Sequence, residues 1–327
     1  MWNQRKWKFG KVLAIIATLT FVLIIRRSFD YGYVAHISPC QNQLKEHNVS
    51  QSFKKTNTYY LVILVTSAPT KLATRQIIRD TWLSEKHSNV LHYFAIGTKG
   101  ITASVYDEIA MENATYGDIL FLSEVKDFYE TLTSKVLAGL QWINSNVNFN
   151  FVLKCDDDSF VRVSDLVAEL LKQPQKLLYW GFFKGGSKVF SRGQWKEREW
   201  YLCDTYLPYA VGGGYVLSQD LVEYISRNAD LLQQYSSEDV SVGTWLAPLK
   251  LNRVHDTRFD TEYKSRGCFN EYLVTHKQDA SSLKELHKNL KNYGHLCENE
   301  MRLRYSYNYN WSVKPTDCCK QYDFSLP

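Results

Sequence analysis

The apolar positions of this chain follow two rhythms. YYLVILVTS at 59–67 is a nearly unbroken β-rich run, the pattern of a strand buried on both faces. VLHYFAIG at 90–97, DILFLS at 118–123 and FNFVLKC at 149–155 repeat it. Between these runs the period lengthens. Residues 70–83 place Ile77, Ile78 and Trp82 on one side, 102–114 suit a second helix, and 128–145 carry Leu132, Val136, Leu140 and Ile143 in step. The order β-α-β-α-β-α-β predicts an α/β layer around a mostly parallel sheet. Ligands of such sheets gather at the carboxyl ends of the strands, here just after residues 67, 97, 123 and 155. Beyond residue 176 the pattern loosens into strands, Gly-rich turns and short helices.

A different pattern opens the chain. VLAIIATLTFVLII (Val12 to Ile25) carries no charge, and Arg5, Lys6, Lys8 and Lys11 precede it while Arg26 and Arg27 follow. The run is shorter than the ~20 residues of a comfortable span, so a cleaved signal peptide is the alternative. No small-residue cleavage pattern follows, and the flanking basic side chains can snorkel to lengthen the span. The basic excess before the run keeps the N-terminus cytoplasmic. We therefore expect a cytoplasmic tail at 1–11, a transmembrane signal anchor at 12–25, a polar lumenal stem at 26–57 and a catalytic domain at 58–327. Asn48, Asn113 and Asn310 head Asn-X-Ser/Thr triplets, which agree with a lumenal, glycosylated chain.

Composition narrows the picture modestly. Apolar residues at 45% suffice for a full core, and a net charge of +5 over 327 residues gives no sign of a nucleic-acid protein. Aromatics at 14% suit sugar stacking and an ordinary core equally. The cysteines stand at 40, 155, 203, 268, 297, 318 and 319, without a CxxC pair or zinc-finger spacing. Their clustering toward the C-terminus suits disulfides in an oxidising compartment. The odd count leaves at least one thiol over, and Cys155, in an apolar strand, is the candidate for a buried reduced one.

The chemistry concentrates at Asp156-Asp157-Asp158, at the end of the fourth strand. Adjacent carboxylates repel unless a cation lies among them, and hard oxygen donors select magnesium or manganese. No GxxxxGK[ST] or GxGxxG phosphate loop is present, so a metal and basic side chains must hold any phosphates, as in GT-A-type nucleotide-sugar transferases. GGGY at 212–215 reads either as a turn or as backbone that lets a ligand approach. Glu238-Asp239 opens a helix, where acids often serve only as dipole partners.

Six ordered motifs together resemble the β1,3-glycosyltransferase family that includes Fringe: RQIIRDTW (Arg75 to Trp82), DFYETLTSK (Asp127 to Lys135), FVLKCDDD (Phe151 to Asp158), PYAVGGGYVLS (Pro208 to Ser218), EDVSVG (Glu238 to Gly243) and LVTH (Leu273 to His276). LYWGFF at 178–183, WYLCD at 200–204, HDTRFDTEYKSRGC at 255–268 and Cys318-Cys319 are similar to the members that build the glycosaminoglycan linkage region. Cys155 departs from the pattern, standing where a smaller residue is expected, on the core side. The resemblance implies a GT-A-like domain in the Golgi membrane that transfers galactose from UDP-galactose, with inversion and Mn2+, to the 3-hydroxyl of a galactosyl-xylose acceptor on a proteoglycan core protein. It implies Asp239 as general base and Asp158, His276 and Asp156 as metal ligands; His276 alone would read as structural. It places Arg75, Arg79, Asp127, Lys135, Asp156 and Asp157 on the donor, and Trp180, Tyr206, Gly212, Gly213, Gly214 and Glu238 around the sugars. The competing readings are transfer of N-acetylglucosamine, transfer to another acceptor, a non-catalytic calcium-dependent sugar-binding protein, and an inactive transferase domain.

Overall fold

The computed structural model describes residues 58–320, 322–323 and 325–327. The tail, anchor and stem at 1–57, with Cys40 and Asn48, lie outside the described residues. Among the described residues, no helix is long and apolar enough to cross a membrane.

The β-rich runs form the strands expected of them: β1 (Thr58–Thr66), β2 (Val90–Gly97), β3 (Ile119–Leu122) and β4 (Asn148–Asp156). Helices α1 (Leu72–Asp80), α2 (Ala103–Tyr116) and α3 (Leu132–Asn146) connect them. The boundaries follow local chemistry. Thr102 caps α2 by accepting from the Val105 amide, and Gly117 ends it at φ +69°. A turn of 3-10 helix at Tyr129–Thr131 takes up the start of the expected 128–145 helix.

After β4 come β5 (Phe160–Val161), α4 (Val163–Leu170), β6 (Leu178–Lys184), β7 (Tyr209–Ser218), α5 (Gln219–Arg227), α6 (Glu238–Leu246), β8 (Asn252–His255), β9 (Phe259–Asp260), β10 (Gly267–Cys268), β11 (Val274–Thr275), α7 (Ala280–Tyr293), β12 (Met301–Arg302), β13 (Ser306–Tyr307) and β14 (Tyr322–Asp323). The central sheet has seven strands in the order β3-β2-β1-β4-β7-β6-β8. All pairs are parallel except the two made by β7. The sheet is thus mixed but mostly parallel, and its two faces explain the unbroken apolar runs. Leu61, Ile63 and Val65 of β1 pack with Ile78 and Ile109 in one core layer; Val62 and Leu64 pack with Val136, Leu140, Val222 and Val242 in the other.

Gly212-Gly213-Gly214 is not a turn. It is the middle of β7, paired through Gly214 to Cys155. A smaller sheet, β5-β11-β9, stands beside the end of β4. The late cysteines are joined as Cys268–Cys297 and as the adjacent pair Cys318–Cys319. Cys155 is a buried free thiol in the core layer with Leu153, and Cys203 is an exposed one.

Candidate functional site

Asp156 ends β4 beside Thr66, which ends the parallel neighbour β1. The Thr66 hydroxyl donates to Asp156 Oδ1 at 2.8 Å, and the next residue, Ser67, donates to Asp157 Oδ2 at 2.8 Å. Lys154 also reaches Asp156 Oδ1, at 2.8 Å. These donors occupy one oxygen of Asp156 and turn the other, Oδ2, toward His276.

His276 arrives by a different route. β11 pairs antiparallel with β5, which follows the triad, and parallel with β9. The His276 amide donates to Asp260 O, and Gln278 N donates to Asp158 O, both at 2.9 Å. His276 Nδ1 lies 3.2 Å from the Glu262 carbonyl, which can only accept, so Nδ1 carries a hydrogen and Nε2 is the nitrogen turned toward the carboxylates. Nε2 stands 3.4 Å from Asp156 Oδ2 and 2.8 Å from Asp158 Oδ1. The latter contact lies off the line of a hydrogen bond, and both Asp158 Oδ1 and His276 Nε2 are buried without a hydrogen-bond partner. The three ligand atoms lie within 4.8 Å of one another.

Two hard carboxylate oxygens and one imidazole nitrogen, converging and unsatisfied, fit a divalent metal. The charge balance agrees. Burial would lower the His276 pKa, yet Asp156 and Asp158 raise it to about 9. Burial would raise Asp156, yet Lys154 and His276 hold it well below the carboxylate range. Positive charge is favoured among these groups, and a metal would supply it with the imidazole neutral.

The second half of the site sits on α6. Ser237 precedes it, and Gly243 lets the helix close on β7: a Cβ there would lie 2.5 Å from that of Tyr209. This brings Glu238 and Asp239 against the β7 glycines. Asp239 Oδ2 accepts from the Gly212 amide and Oδ1 from the Val240 amide, both at 2.9 Å. Burial pushes the Asp239 carboxyl upward against the pull of Lys154. Glu238 is deeper, accepts from Tyr215 Oη, and faces Lys154 Nζ at 3.1 Å. Burial pushes it up to about 7.

Lys154 therefore links the two halves. Its ammonium is buried in the sheet and contacts Asp156, Glu238 and the Gly212 carbonyl, the last at 2.7 Å. Asp156, His276, Gly212, Gly213, Glu238 and Asp239 line one cavity of about 340 Å³, walled further by Lys184, Phe190, Trp195, Tyr263 and Lys277. That size suits a sugar-sized ligand.

Other expected site residues lie elsewhere. Arg75 is fully buried and its donors are used: it grips Glu112 with Nε and Nη2 and donates to Ser67 Oγ and Ala68 O. Arg79 pairs with Glu112 and Asp118 under the rings of Phe94 and Tyr116. Neither lines the cavity. Arg75 braces the loop after β1 from behind, and Arg79 supports it only through their shared partner Glu112. Asp127 accepts from Gly97 N and Lys135 Nζ, and Lys135 donates to Ser67 O, so this pair ties the ends of β1 and β2 together. Trp180 and Tyr206 are core residues, 0% and 1% exposed, and do not line the cavity. Trp180 donates to Asp256 and packs on Phe259; Tyr206 packs behind Phe190. Gly214 lies under Val274, away from the cavity, whereas a Cβ on Gly213 would meet His276 at 2.6 Å. Asn113 sits on α2 with its Oδ1 accepting from Ile119 N, and Asn310 is exposed.

Lys154, Thr66, Ser67, Lys184, Phe190, Trp195, Tyr263 and Lys277 were not among the expected site residues. A lysine inside FVLKC was a visible anomaly, because an unpaired charge cannot be buried in a strand. Trp195 lies in the irregular 185–208 connection, where no periodicity marks it.

The family described as Galactosyltransferase matches residues 73–257 of this chain. The chain is similar to Beta-1,3-galactosyltransferase 6 of Mus musculus, 45% identical over 88% of this chain and 90% of that protein. It is also similar to UDP-GalNAc:beta-1,3-N-acetylgalactosaminyltransferase 2 of Homo sapiens, 33% identical over 58% of this chain and 38% of that protein. Among solved structures, the galactosyltransferase LgtC in complex with donor and acceptor sugar analogs aligns over 71% of this chain and 92% of that one, at 14% identity and a TM-score of 0.34. A structural likeness that loose bears on neither fold nor function.

Proposed function

The chain belongs to the galactosyltransferase family, and from that premise we propose that it transfers galactose from UDP-galactose to the 3-hydroxyl of a galactose-terminated acceptor, with inversion and with Mn2+ as its metal. The acceptor is the galactosyl-xylose of the linkage region on a proteoglycan core protein. One observation carries the reading: Asp156 and His276 of the converging triad line the same cavity as the carboxylate of Asp239, and Lys154 joins Asp156 to Glu238, the residue before Asp239.

Asp156, Asp158 and His276 would hold the metal, which when bound would supply positive charge for the departing diphosphate. Asp239 accepts the proton of the acceptor hydroxyl as that oxygen bonds to the anomeric carbon and the bond from that carbon to UDP breaks. The amides of Gly212 and Val240 fix the direction of its carboxylate. Attack from the face opposite the leaving group gives inversion. Ser67, held by Arg75 and Lys135, positions the triad from the β1 side.

The charged run at 5–11, the uncharged run at 12–25 and the polar segment at 26–57 support a type II Golgi membrane enzyme with a lumenal catalytic domain, glycosylated at Asn48, Asn113 and Asn310. Protease added to intact vesicles should spare residues 58–327; a secreted, N-terminally trimmed main product would count for a cleaved signal instead.

The test of function is transfer to a galactosyl-xyloside from UDP-galactose, UDP-N-acetylglucosamine and UDP-N-acetylgalactosamine, with and without Mn2+. We expect galactose transfer that EDTA abolishes and Mn2+ restores better than Ca2+. Asp158→Ala should lose metal-dependent UDP binding as well as turnover. Full activity in excess EDTA would exclude the metal; sugar binding without transfer would return the non-catalytic reading.

A further inference from the structure

Beside the catalytic cavity, and sharing Lys184 and Tyr263 with it, lies a second opening lined also by Glu262, Lys264 and Arg304. Its charges are unbalanced. The Glu262 carboxylate, 4% exposed, meets Lys184 Nζ at 2.9 Å and Arg304 Nη2 at 3.6 Å. Arg266 Nε also approaches it, at 3.8 Å, but Arg266 is fully buried and its charge is already met by Asp260 at 3.3 Å. Lys264 is exposed and forms no ion pair among the described residues. One buried carboxylate thus answers three cations that front the opening. The side chains of Lys184 and Arg304 are 32% and 43% exposed, so both heads can be reached from solvent.

This opening is tied to the catalytic centre. The Glu262 carbonyl orients His276, and its neighbours Thr261 and Tyr263 line the catalytic cavity. Tyr263 also packs edge-on against Trp195, so the passage between the two openings has aromatic walls suited to a sugar. A molecule with a hydroxyl at Asp239 and a sugar along Trp195 and Tyr263 would carry its next group to the cations.

We propose that Lys184, Lys264 and Arg304 form a cationic subsite for the carboxylates of an acidic peptide that bears the acceptor sugar. The proposal builds on the transfer reading above and adds what the site recognises beyond the sugars. Side-chain carboxylates complete the charge balance that Glu262 leaves open, and partly exposed pairs of this kind favour an acidic over a neutral acceptor by about 3- to 10-fold at low salt.

The experiment uses the full chain and two fluorescent galactosyl-xylosyl peptides, one flanked by glutamates and one by glutamines, together with the sugar-free glutamate peptide. Binding is read by anisotropy in Mn2+ and UDP at low and high salt. The glutamate glycopeptide should bind about 3- to 10-fold more tightly, with the advantage fading at high salt. Lys264→Gln should reduce the advantage and Lys264→Gln/Arg304→Gln abolish it, while kcat on a peptide-free galactosyl-xyloside stays unchanged. If the double variant unfolds, the exposed Lys264→Gln alone decides. Equal binding of both glycopeptides, a preference that survives the variants, or displacement of the sugar-free acidic peptide by UDP overturns the subsite. Should no acceptor be galactosylated at all, the transfer reading falls, and variant-sensitive binding of the sugar-free acidic peptide still upholds the subsite.

Discussion

At Asp239 two backbone amides converge on one carboxylate while burial presses its pKa upward. A base held this way should be missed chiefly in the transition state. Asp239→Asn should lower kcat by about 10²- to 10⁴-fold with the UDP dissociation constant nearly unchanged; a mere helix-capping role would cost about 1 kcal/mol of stability and spare kcat. Retention of more than about a tenth of wild-type kcat would pass the role to Glu238. Glu238 itself makes a pH-dependent contribution to stability. Raised to about 7, it binds its proton more tightly in the folded state than in the unfolded one, where a glutamate titrates near ~4.3. Its contribution is full below that lower value and is lost as pH rises through about 7. The Tm of Glu238→Gln minus that of wild type, without metal, should therefore climb between about pH 5 and pH 8; a flat difference would show that Lys154 keeps Glu238 ionised. At this scale the aspartate triad was legible from strand-end logic alone. His276 was not, because a two-residue strand with no periodicity of its own delivers it. Nor was the engagement of Arg75 and Arg79, since Glu112 and Asp118 lie over thirty residues away and nothing local announces them.

Elements explain why glycine recurs in β7. Apolar residues flank GGG on both sides and keep pairing with β4, so the segment continues as strand where its composition suggests a turn. The glycines make room for side chains arriving from α6 and β11. Gly213→Ala would put a methyl 2.6 Å from the His276 ring and 2.7 Å from the Thr261 carbonyl, whereas Gly212→Ala meets Asp239 only at 3.4 Å. Gly213→Ala should thus cost about 1–3 kcal/mol and weaken metal-dependent UDP binding, with Gly212→Ala much milder on both counts. Similar losses for the two would refute the crowding argument. The α1–α2 clamp offers a companion test. Arg75→Ala strips a fully buried partner from Glu112 and should destabilise by about 3–5 kcal/mol in urea unfolding. A loss below about 1 kcal/mol would mean that Arg79 alone satisfies Glu112. The parallel half of the fold was legible because strands buried on both faces are nearly continuous in apolar character. The second half was less so, since its small strands are short and set by side-chain contacts distant in sequence.

For the whole molecule, the cysteine pattern forecast disulfides without forecasting their partners, because pairing depends on where α7 returns the chain. Cys268 and Cys297 close a loop with a sequence separation of 29. Cys297→Ser should cost about 2–4 kcal/mol by chemical denaturation, and an unchanged midpoint would show that the surrounding core holds the loop unaided. The antiparallel strand β7 has a consequence for biosynthesis. Parallel neighbours β1 and β4 are synthesised before residue 157, but the other partner of β4 begins at Tyr209. At roughly 5–20 residues per second, translation leaves that edge of β4 bare for several seconds. During that interval the nascent chain offers an apolar strand edge, the template on which aggregation starts, with Lys154 exposed in its midst. The ammonium that later joins the two halves of the site meanwhile serves as a charged gatekeeper against mispairing.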